Sequence, residues 1–552
     1  AKLPYWWRHF YRLDKTPEEL KDDADCLAGL VRQGDATAEK RSLRYSYRVP
    51  EQECKLYTGS SVACMNDGLP VSNFEYDEKA GVASFTRSQS ANAPPDRLTL
   101  ELNDNIDTGP KLDAIYRYVA QLCDGSSPPM DAVRRLLSRQ LPALQSVKPG
   151  DPLAPDASVA AVTQAVLRME HSQLVIQGPP GTGKTTTAAA VIVELLARGN
   201  TVGITANSHA AINNLLNRAW SRTQQAGLAL KAAAVRRDDS LLPGIATVDA
   251  RDLDARTTPL AGGTAWLFCR PAQAARWDYL FIDEASQVSL ADVVAAGGAA
   301  RNIVLLGDQL QLAQPVEGSH PGDSGLSALD YLMQGHATVP PEQGIFLDCS
   351  HRMHPDVCGP VSEGVYEGRL TAADACSRQQ LRVSASADAA LRPSGVYWVP
   401  VAHTHCRQRS EPEVRRIAEL YDSLLQQSWI DRDRTTVRLT SQDILIVAPY
   451  NAQVRLLRDT LGAQARVGTV DKFQGQESAV AIYSMTTSDA ESMPRGFDFL
   501  FSRNRLNVGV SRAKCLALIV ASPALRTAVC ERVEDVPLLN LYCLLTARQE
   551  SR

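Results

Sequence analysis

The chain has 552 residues, which is too long for a single hydrophobic core and indicates about three or four domains. Its 44% hydrophobic and 22% charged residues are typical of a folded globular protein and exclude a disordered or low-complexity chain. The net charge of −4 argues against a protein that merely coats nucleic acid, but it is compatible with a motor that holds a strand in a narrow groove.

The sequence favours a reducing, cytoplasmic location. No apolar run reaches the roughly 18 residues that a membrane helix needs, so no membrane partner is expected. Residues 1–10 do not resemble a signal peptide, and the 12 cysteines include no C-x-x-C pair. The group of His403, His405 and Cys406 lacks a fourth metal ligand and is expected to be a surface loop. Because the chain begins with Ala1, we expect it to be part of a longer or processed protein.

The first part of the chain mixes helical and strand patterns. Pro17 and a stripe of leucines predict a helix over residues 16–32. Between residues 44 and 102, short apolar runs broken by turns predict a small β-barrel. Helical patterns follow over residues 111–122 and 131–141. We therefore predict an N-terminal segment with a first stalk helix (1–40), an accessory β-barrel (41–107) and returning stalk helices (108–149).

Apolar strand-like runs recur from residue 174 onward, with helical patterns between some of them, as parallel α/β sheets require. A first set comprises residues 174–176, 202–204, 279–282 and 303–306. A second set comprises residues 345–347, 444–447, 480–483 and 516–520. We predict two α/β domains, over residues 150–338 and 339–552, with a linker at residues 335–344.

Residues 178–185 read GPPGTGKT, a complete G-x-x-x-x-G-K-[ST] phosphate-binding loop between an apolar strand and an Ala-rich helix. Backbone N–H groups in such a loop bind phosphates at a helix N-terminus. Lys184 is expected to contact the β- and γ-phosphates of ATP, and Thr185 to bind Mg²⁺. The nucleotide-binding residues predicted here are Gly178, Pro179, Pro180, Gly181, Thr182, Gly183, Lys184, Thr185 and Thr186.

Two later strands end in polar residues. Asp283 and Glu284 follow an apolar strand, where a phosphate-loop enzyme holds its Mg²⁺. We predict that Asp283 binds the metal and that Glu284 positions and deprotonates the attacking water. Gln309 follows the next strand and is predicted to sense the γ-phosphate.

The second α/β domain has no phosphate loop, but it offers arginines in loop contexts. Arg352 lies in SHRMHP and Arg512 in NVGVSRAK. This pairing suggests a nucleotide held between the domains, with both arginines acting on the charge that develops in the transition state.

Six motifs now carry a family resemblance: GPPGTGKT, DEAS, GDQLQL, HRMHP, VGTVDKFQGQE and NVGVSRAK occur in this order between about Leu174 and Ser522. The chain resembles superfamily 1 helicases, in the branch of the nonsense-mediated-decay RNA helicase and related DNA helicases. The resemblance implies two RecA-like motor domains and a stalked accessory barrel. Residues 263–268 and 504–508 are similar to the helicase half of bacterial RecB-like nuclease–helicase fusions, which implies a nuclease domain in the full-length protein.

The resemblance implies further roles. Glu477 is similar to a carboxylate that contacts the ribose, and His351 stands where relatives place an adenine-stacking Tyr. Because a His ring stacks less well and the usual adenine-reading Gln is not evident upstream, selectivity for the ATP base is in question. The residues expected to contact single-stranded nucleic acid are Thr205, Asn207, Ser208, His209, Pro449, Tyr450, Asn451, Thr469 and Gln474.

These patterns predict an ATP- and Mg²⁺-dependent helicase or translocase on single-stranded DNA or RNA, and the resemblance implies 5′-to-3′ movement. One alternative is an ATP-switched nucleic-acid clamp that does not unwind, which strand displacement would distinguish. A second is an ATPase that acts on protein, which single strands would not stimulate; such a remodelling ring usually takes its Arg from a neighbouring subunit.

Overall fold

The computed structural model describes the chain except for residues 1, 22, 24, 51, 53, 79, 104–107, 125–130, 237–238, 315–319, 474 and 548–552, and except for the side chains of residues 2–6. The chain forms two compact units, Ala1–Gly109 with Val316–His320, and Pro110–Pro315 with Pro321–Arg552. In the part of the chain so described, no helix is long and apolar enough to span a bilayer.

The first unit contains two helices and a seven-stranded antiparallel sheet. Its elements are α1 (Lys2–Leu13), α2 (Pro17–Leu20), β1 (Cys26–Arg32), β2 (Thr37–Glu39), β3 (Ser42–Arg48), β4 (Val62–Cys64), β5 (Ser72–Asp77), β6 (Val82–Ser88) and β7 (Arg97–Leu102). The strand order is β4-β7-β1-β3-β6-β5, with β2 beside β3. Backbone bonds from Gly59 N to Phe74 O (2.9 Å) and from Val71 N to Val62 O (3.1 Å) join the two outer strands and close the sheet into a barrel.

The predicted helix over residues 16–32 is wrong beyond its first turn. A capping box between Thr16 and Glu19 supports only α2, and the chain then enters β1. Leu27 and Leu30 both face the barrel core, although residues three apart lie on opposite faces of a regular strand. A register shift between them, with Gly29 at φ +69°, turns both inward, so a strand with a bulge has the spacing of a helix.

In the described part of the chain, three helices lie between β7 and the first large sheet. They are α3 (Gly109–Cys123), α4 (Asp131–Leu137) and α5 (Val159–Leu167). Ala114 of α3 packs with Cys269 and Ala295, and Arg117 donates to the Cys269 carbonyl at 2.5 Å. These contacts fix the returning helix on the first α/β domain.

The first α/β domain is an eight-stranded parallel sheet of order β11-β10-β12-β9-β13-β14-β8-β15. Apolar clusters cover both faces, which explains its continuous hydrophobic strands. Its elements are β8 (Gln173–Gln177), α6 (Lys184–Ala197), β9 (Val202–Thr205), α7 (His209–Gln225), β10 (Ala232–Ala234), β11 (Ile245–Thr247), β12 (Leu260–Gly262), α8 (Ala265–Phe268), β13 (Trp277–Ile282), α9 (Leu290–Gly297), β14 (Ala300–Gly307), α10 (Ala328–Met333) and β15 (Gly344–Phe346).

The placement of residues 345–347 in the second domain is therefore wrong. Strand β15 pairs with β8 in parallel, with Ile345 opposite Ile176, and extends the first sheet. The expected linker at residues 335–344 accordingly connects α10 to a strand of the same sheet. An apolar strand carries no local mark of the sheet that it joins, so the pattern alone could not assign it.

The second α/β domain is a five-stranded parallel sheet of order β19-β25-β24-β22-β23, with two small sheets beside it. Its elements are β16 (Cys349–Ser350), α11 (Pro355–Val365), β17 (Thr371–Ala372), β18 (Gln380–Arg382), β19 (Gly395–Pro400), α12 (Glu411–Leu424), β20 (Ser428–Ile430), β21 (Thr436–Arg438), β22 (Ile444–Val447), α13 (Asn451–Leu461), β23 (Arg466–Gly468), β24 (Ser478–Ser484), α14 (Phe497–Leu500), α15 (Arg503–Val510), β25 (Ala513–Ala521) and α16 (Val536–Thr546). Parallel sheets in both domains confirm the predicted α/β fold class.

Candidate nucleotide site and nucleic-acid track

The phosphate-binding loop runs from the end of β8 to the start of α6, as predicted. Gly181 and Gly183 have φ of +79° and +80°, which suits a loop that curls its N–H groups inward. The Lys184 side chain folds back over Gly178, where a Cβ would lie only 2.0 Å from Lys184 Cγ. Thr186 accepts a hydrogen bond from Arg218 Nη1 of α7, a contact that the sequence did not indicate.

Two carboxylates lie at the end of β13. Asp283 is buried, and burial together with the charge of Glu284 raises its pKa to about 7 while Lys184 opposes the rise. Glu284 has a left-handed backbone, with φ 48°, an uncommon conformation that non-glycine residues keep mainly at functional sites. Asp283 is thus a buried carboxylate suited to binding a cation, and its neighbour Glu284 is partly exposed.

The donor set around the loop fits Mg²⁺. Oxygen ligands suit this ion, and Thr185 and Asp283 supply a hydroxyl and a carboxylate on the phosphate side of the sheet. In the described part of the chain, Asp283 forms no ion pair within 4.0 Å, so a buried carboxylate is left for a cation to bind. A bound cation favours the ionised form of Asp283.

The second domain meets the phosphate loop through β16 and the residues after it. His351 N donates to Gly181 O at 2.9 Å, and Ser350 Oγ donates to Pro180 O at 2.9 Å. A Cβ at Gly181 would lie 2.5 Å from Arg352 Cβ. The motif that contains Arg352 therefore lies directly against the phosphate loop of the first domain.

Arg512 is buried between α15 and β25, and its hydrogen bonds run to carbonyl oxygens. Its nitrogens lie 3.0 Å from Val508 O and from Gln476 O, and 3.4 Å from Phe473 O. No described carboxylate forms an ion pair with it within 4.0 Å. Burial and the charge of Arg352 lower the pKa of Arg512 to about 9, while Glu284 opposes this. A buried guanidinium without a counter-anion is poised for an anion.

Glu477 forms ion pairs with Arg352 and Lys514. It accepts from Arg352 Nε at 2.8 Å and from Lys514 Nζ at 3.1 Å. Burial raises the pKa of Glu477, but the charges of Arg352 and Lys514 outweigh it and lower the pKa. The ribose contact of Glu477 and the adenine contact of His351, whose side chain is exposed, stay predictions.

Gln309 turns its side chain toward a loop of its own domain. Its Nε2 donates to Ala337 O at 2.9 Å and to His336 O at 3.2 Å, so its role as a γ-phosphate sensor stays a prediction. The carbonyl of Gln309 instead accepts from Asn504 Nδ2 of the second domain at 2.9 Å.

A buried network beside Gln309 was missed by sequence reasoning. Tyr366 O–H donates to Asp308 Oδ2 at 2.6 Å, and Asn507 Nδ2 donates to Tyr366 Oη and to Leu310 O, both at 2.7 Å. Gln311 Nε2 donates to the same Asp308 carboxylate at 2.9 Å. The polar residues of GDQLQL were the available signal, but the partners Tyr366 and Asn507 lie more than fifty residues away in the chain.

The predicted gripping loop of the first domain follows β9. Thr205 is buried, and its carbonyl accepts from Asp283 N at 2.8 Å, which ties this strand end to the carboxylates at the end of β13. Ser208 caps α7 by accepting from Ala211 N at 3.2 Å, and Asn207 is exposed beside it. His209 begins the helix. Contact of these residues with nucleic acid stays a prediction.

In the second domain, the predicted track residues follow β22 and β23. Pro449 and Tyr450 are buried, Asn451 is exposed at the start of α13, and Thr469 is half-buried. Gln474 lies outside the described residues. The buried Tyr450 ring packs against Phe499 at 5.6 Å between centroids, so it supports this surface from below.

The segment that contains His403, His405 and Cys406 is a loop with His405 exposed, as expected, but the His403 ring is buried in a polar network. His403 Nε2 lies 3.0 Å from the fully buried Glu413, and its Nδ1 lies 2.8 Å from Ser488 Oγ. Glu413 also accepts from Thr486 N at 2.8 Å. The described residues contain no cluster of three or more side chains that could hold a metal ion.

Two families described as AAA domains match the chain, one over residues 156–324 and the other over residues 325–524. The chain is 24% identical over 402 residues to DNA polymerase alpha-associated DNA helicase A of Schizosaccharomyces pombe, covering 61% of this chain and 59% of that protein. It is 26% identical over 382 residues to DNA replication ATP-dependent helicase/nuclease dna2 of the same yeast, covering 64% and 26%. It is 25% identical over 424 residues to DNA-binding protein SMUBP-2 of Rattus norvegicus, covering 64% and 41%.

The chain thus spans between 26% and 59% of the length of these curated relatives. Among solved structures, an arterivirus nonstructural protein 10 helicase resembles it with a TM-score of 0.40 at 14% identity, covering 89% of this chain and 78% of that chain.

Proposed function

We propose that this chain, a relative of the superfamily 1 helicases as its motifs predict, hydrolyses ATP between its two α/β domains and uses the cycle to move along single-stranded nucleic acid. The observation that carries the proposal is the buried Arg512, which has no carboxylate partner in the described chain and belongs to the domain that contacts the phosphate loop. Such a charge is tolerated best when an anion completes the site.

Each residue of the site has a role in this proposal. The loop N–H groups and Lys184 hold the β- and γ-phosphates. Thr185 and Asp283 would hold Mg²⁺, which when bound would supply positive charge against the phosphates and the γ-phosphoryl group. Glu284 orients the attacking water and accepts its proton. Arg352 and Arg512 stabilise the charge that develops on the γ-phosphoryl oxygens.

The proposed track is a single strand, with DNA favoured over RNA. The predicted track residues follow strands β9, β22 and β23, and ligands of open α/β sheets bind beyond the carboxyl ends of strands. The relatives include proteins named as DNA helicases and a DNA-binding protein, which favours DNA. We also propose 5′-to-3′ movement, a reducing cytoplasmic location and a nuclease domain in the full-length protein, as the dna2 relative is named a helicase/nuclease.

The deciding experiment measures ATP hydrolysis with matched single-stranded DNA, single-stranded RNA and blunt duplex, with the Lys184→Ala variant as the control for contaminating ATPase. We expect stimulation by single strands, and more by DNA than by RNA. Hydrolysis by the wild-type chain that no nucleic acid stimulates would contradict the proposal and favour an ATPase that acts on protein.

Strand displacement on duplexes with a 5′ or a 3′ tail tests the motor itself. We expect displacement from the 5′-tailed duplex only. Stimulated hydrolysis without displacement or movement on either substrate would support the ATP-switched clamp in place of the helicase.

A further inference from the structure

We propose that Arg495 and Arg505, held on the ring of Phe499, form a binding site for the sugar–phosphate backbone of single-stranded nucleic acid on the second α/β domain. This site rests on the proposed function, because it supplies the track of that domain with its charged contacts. Arg495 and Phe499 lie outside the motifs, and Arg505 lies in the segment 504–508, where the resemblance gave it no role.

The two guanidinium groups share one aromatic ring. Arg495 Cζ lies 4.8 Å from the centroid of Phe499, and Arg505 Cζ lies 4.3 Å from it. Stacking on a ring positions a guanidinium while leaving its N–H groups available for hydrogen bonds. Because the ring engages both arginines, the arrangement presents charge to a phosphate more than a stacking face to a base.

The charge of this pair is poorly balanced. In the described part of the chain, Arg495 is exposed and forms no ion pair within 4.0 Å. Arg505 has Asp471 at 3.6 Å, a long contact to an exposed carboxylate. Two arginines with one distant partner make a local positive site on a chain whose net charge is −4. Such a site attracts an anion.

The pair lies near the carboxyl ends of the domain's strands. Tyr450, which packs on Phe499, follows β22, and Asp471, beside Arg505, follows β23. In contrast, Glu477 and Arg512 of the nucleotide site directly precede β24 and β25. The pair therefore lies toward the opposite end of the sheet from the nucleotide residues, at the carboxyl ends of the strands, where open α/β sheets bind ligands. The predicted track residue Thr469 lies two positions before Asp471.

Hydrogen bonds hold Tyr450, the residue on which Phe499 packs beneath the arginine pair. Thr487 Oγ1 lies 3.4 Å from Tyr450 Oη and 2.9 Å from Arg407 O. The preceding Thr486 has φ 69°, which is strained for a β-branched residue, and the buried Glu413 holds its N–H at 2.8 Å. A fixed support reduces the entropy lost when the arginines bind a strand.

The test measures binding of a fluorescent oligothymidylate over a series of salt concentrations to wild type, to Arg495→Ala/Arg505→Ala and to the charge-preserving Arg495→Lys/Arg505→Lys. For single strands, each lost phosphate contact reduces the slope of log K against log salt by about 0.7. We therefore expect the double alanine variant to lose about 1.4 from that slope. The lysine variant should keep most of the slope.

A matched control is Arg526→Ala. Arg526 belongs to the same domain and stacks on Trp398 at the same 4.8 Å distance, but it is no part of the proposed site. It should leave the salt slope unchanged. In ATPase assays, the double alanine variant should need more oligonucleotide for half-maximal stimulation while reaching a similar maximal rate.

Three outcomes would overturn the inference in distinguishable ways. If the wild-type chain is stimulated by single strands but the double alanine variant keeps the wild-type slope, only the site is wrong. If no single strand binds the wild-type chain at all, the proposed function fails and the site fails with it. A slope that falls equally in Arg526→Ala would also contradict the site, because the loss would then be general.

Discussion

The two α/β domains bring different chemistry to the cleft between them. The first presents backbone N–H groups, one lysine and two carboxylates, which together can bind ATP and Mg²⁺. The second presents two arginines, of which Arg352 is paired with Glu477 and Arg512 is buried against carbonyl groups. In the proposed function, the first set holds the phosphates and Mg²⁺, whereas the second matters most when charge moves to the γ-phosphoryl oxygens. The proposal thus divides phosphate binding and charge stabilisation between the domains.

Lys184→Ala should have the largest effect on ATP turnover, and it tests the contribution of the first domain. The phosphates lose their positive contact, so we expect no measurable ATP turnover and much weaker ATP binding. Binding of a single strand without nucleotide should survive, because the track lies elsewhere. Phosphate release gives the turnover and fluorescence anisotropy gives the binding, and turnover at the wild-type rate would contradict the assignment of the loop.

Arg512→Ala tests the contribution of the second domain to ATP hydrolysis. Its contact with phosphate strengthens in the transition state, so the loss should fall on kcat, by about 10³–10⁵-fold, and little on ATP binding. Arg512→Lys should not rescue, since an ammonium lacks the planar fork of donors. Steady-state kinetics at saturating oligonucleotide measure this, and a normal stimulated kcat would mean that Arg512 is structural.

Glu284→Gln should reduce kcat by about 10²–10⁴-fold while ATP and Mg²⁺ still bind, because the amide keeps the shape but cannot accept a proton. Asp283→Asn should instead weaken the dependence on Mg²⁺. Titration of Mg²⁺ with both variants separates the two roles. The reverse pattern, with Glu284→Gln normal and Asp283→Asn inactive, would show that the division between them is wrong.

The smallest effect on hydrolysis should come from removing the barrel. Both sides of the cleft lie within residues 110–552, so a chain of these residues should fold and keep basal ATPase within a few-fold of the full chain, with altered single-strand affinity or unwinding. Deleting only residues 41–107 splits the sheet, because β1 begins at Cys26 and pairs with β3 and β7. Circular dichroism and ATPase assays of both deletions test this, and unfolding of the 110–552 chain would contradict it.

Sequence patterns predicted the conformation of some parts of the cleft but not the surroundings of others, for a physical reason. The phosphate loop and Asp283 belong to contiguous motifs whose conformation is set locally by glycines and a strand end. The environment of Arg512 depends on carbonyls of Phe473 and Gln476, and that of Gln309 on a loop at residues 336–337, which no local pattern reveals. The helix predicted over residues 16–32 was wrong for a related reason, because the bulge at Gly29 changes the spacing of the inward-facing residues of β1.

Gly181 sets the mechanical clearance between the two halves of the cleft. A single methyl group there would lie 2.5 Å from Arg352 Cβ and 2.7 Å from Ser350 Oγ. The space between Gly181 and the second domain is therefore too small for one additional carbon atom. The methyl group of an alanine at this position would push against the second domain and prevent the cleft from closing fully. Loss of activity in Gly181→Ala would therefore report incomplete closure as well as any distortion of the phosphate loop, and kinetics that separate ATP binding from closure can tell these effects apart.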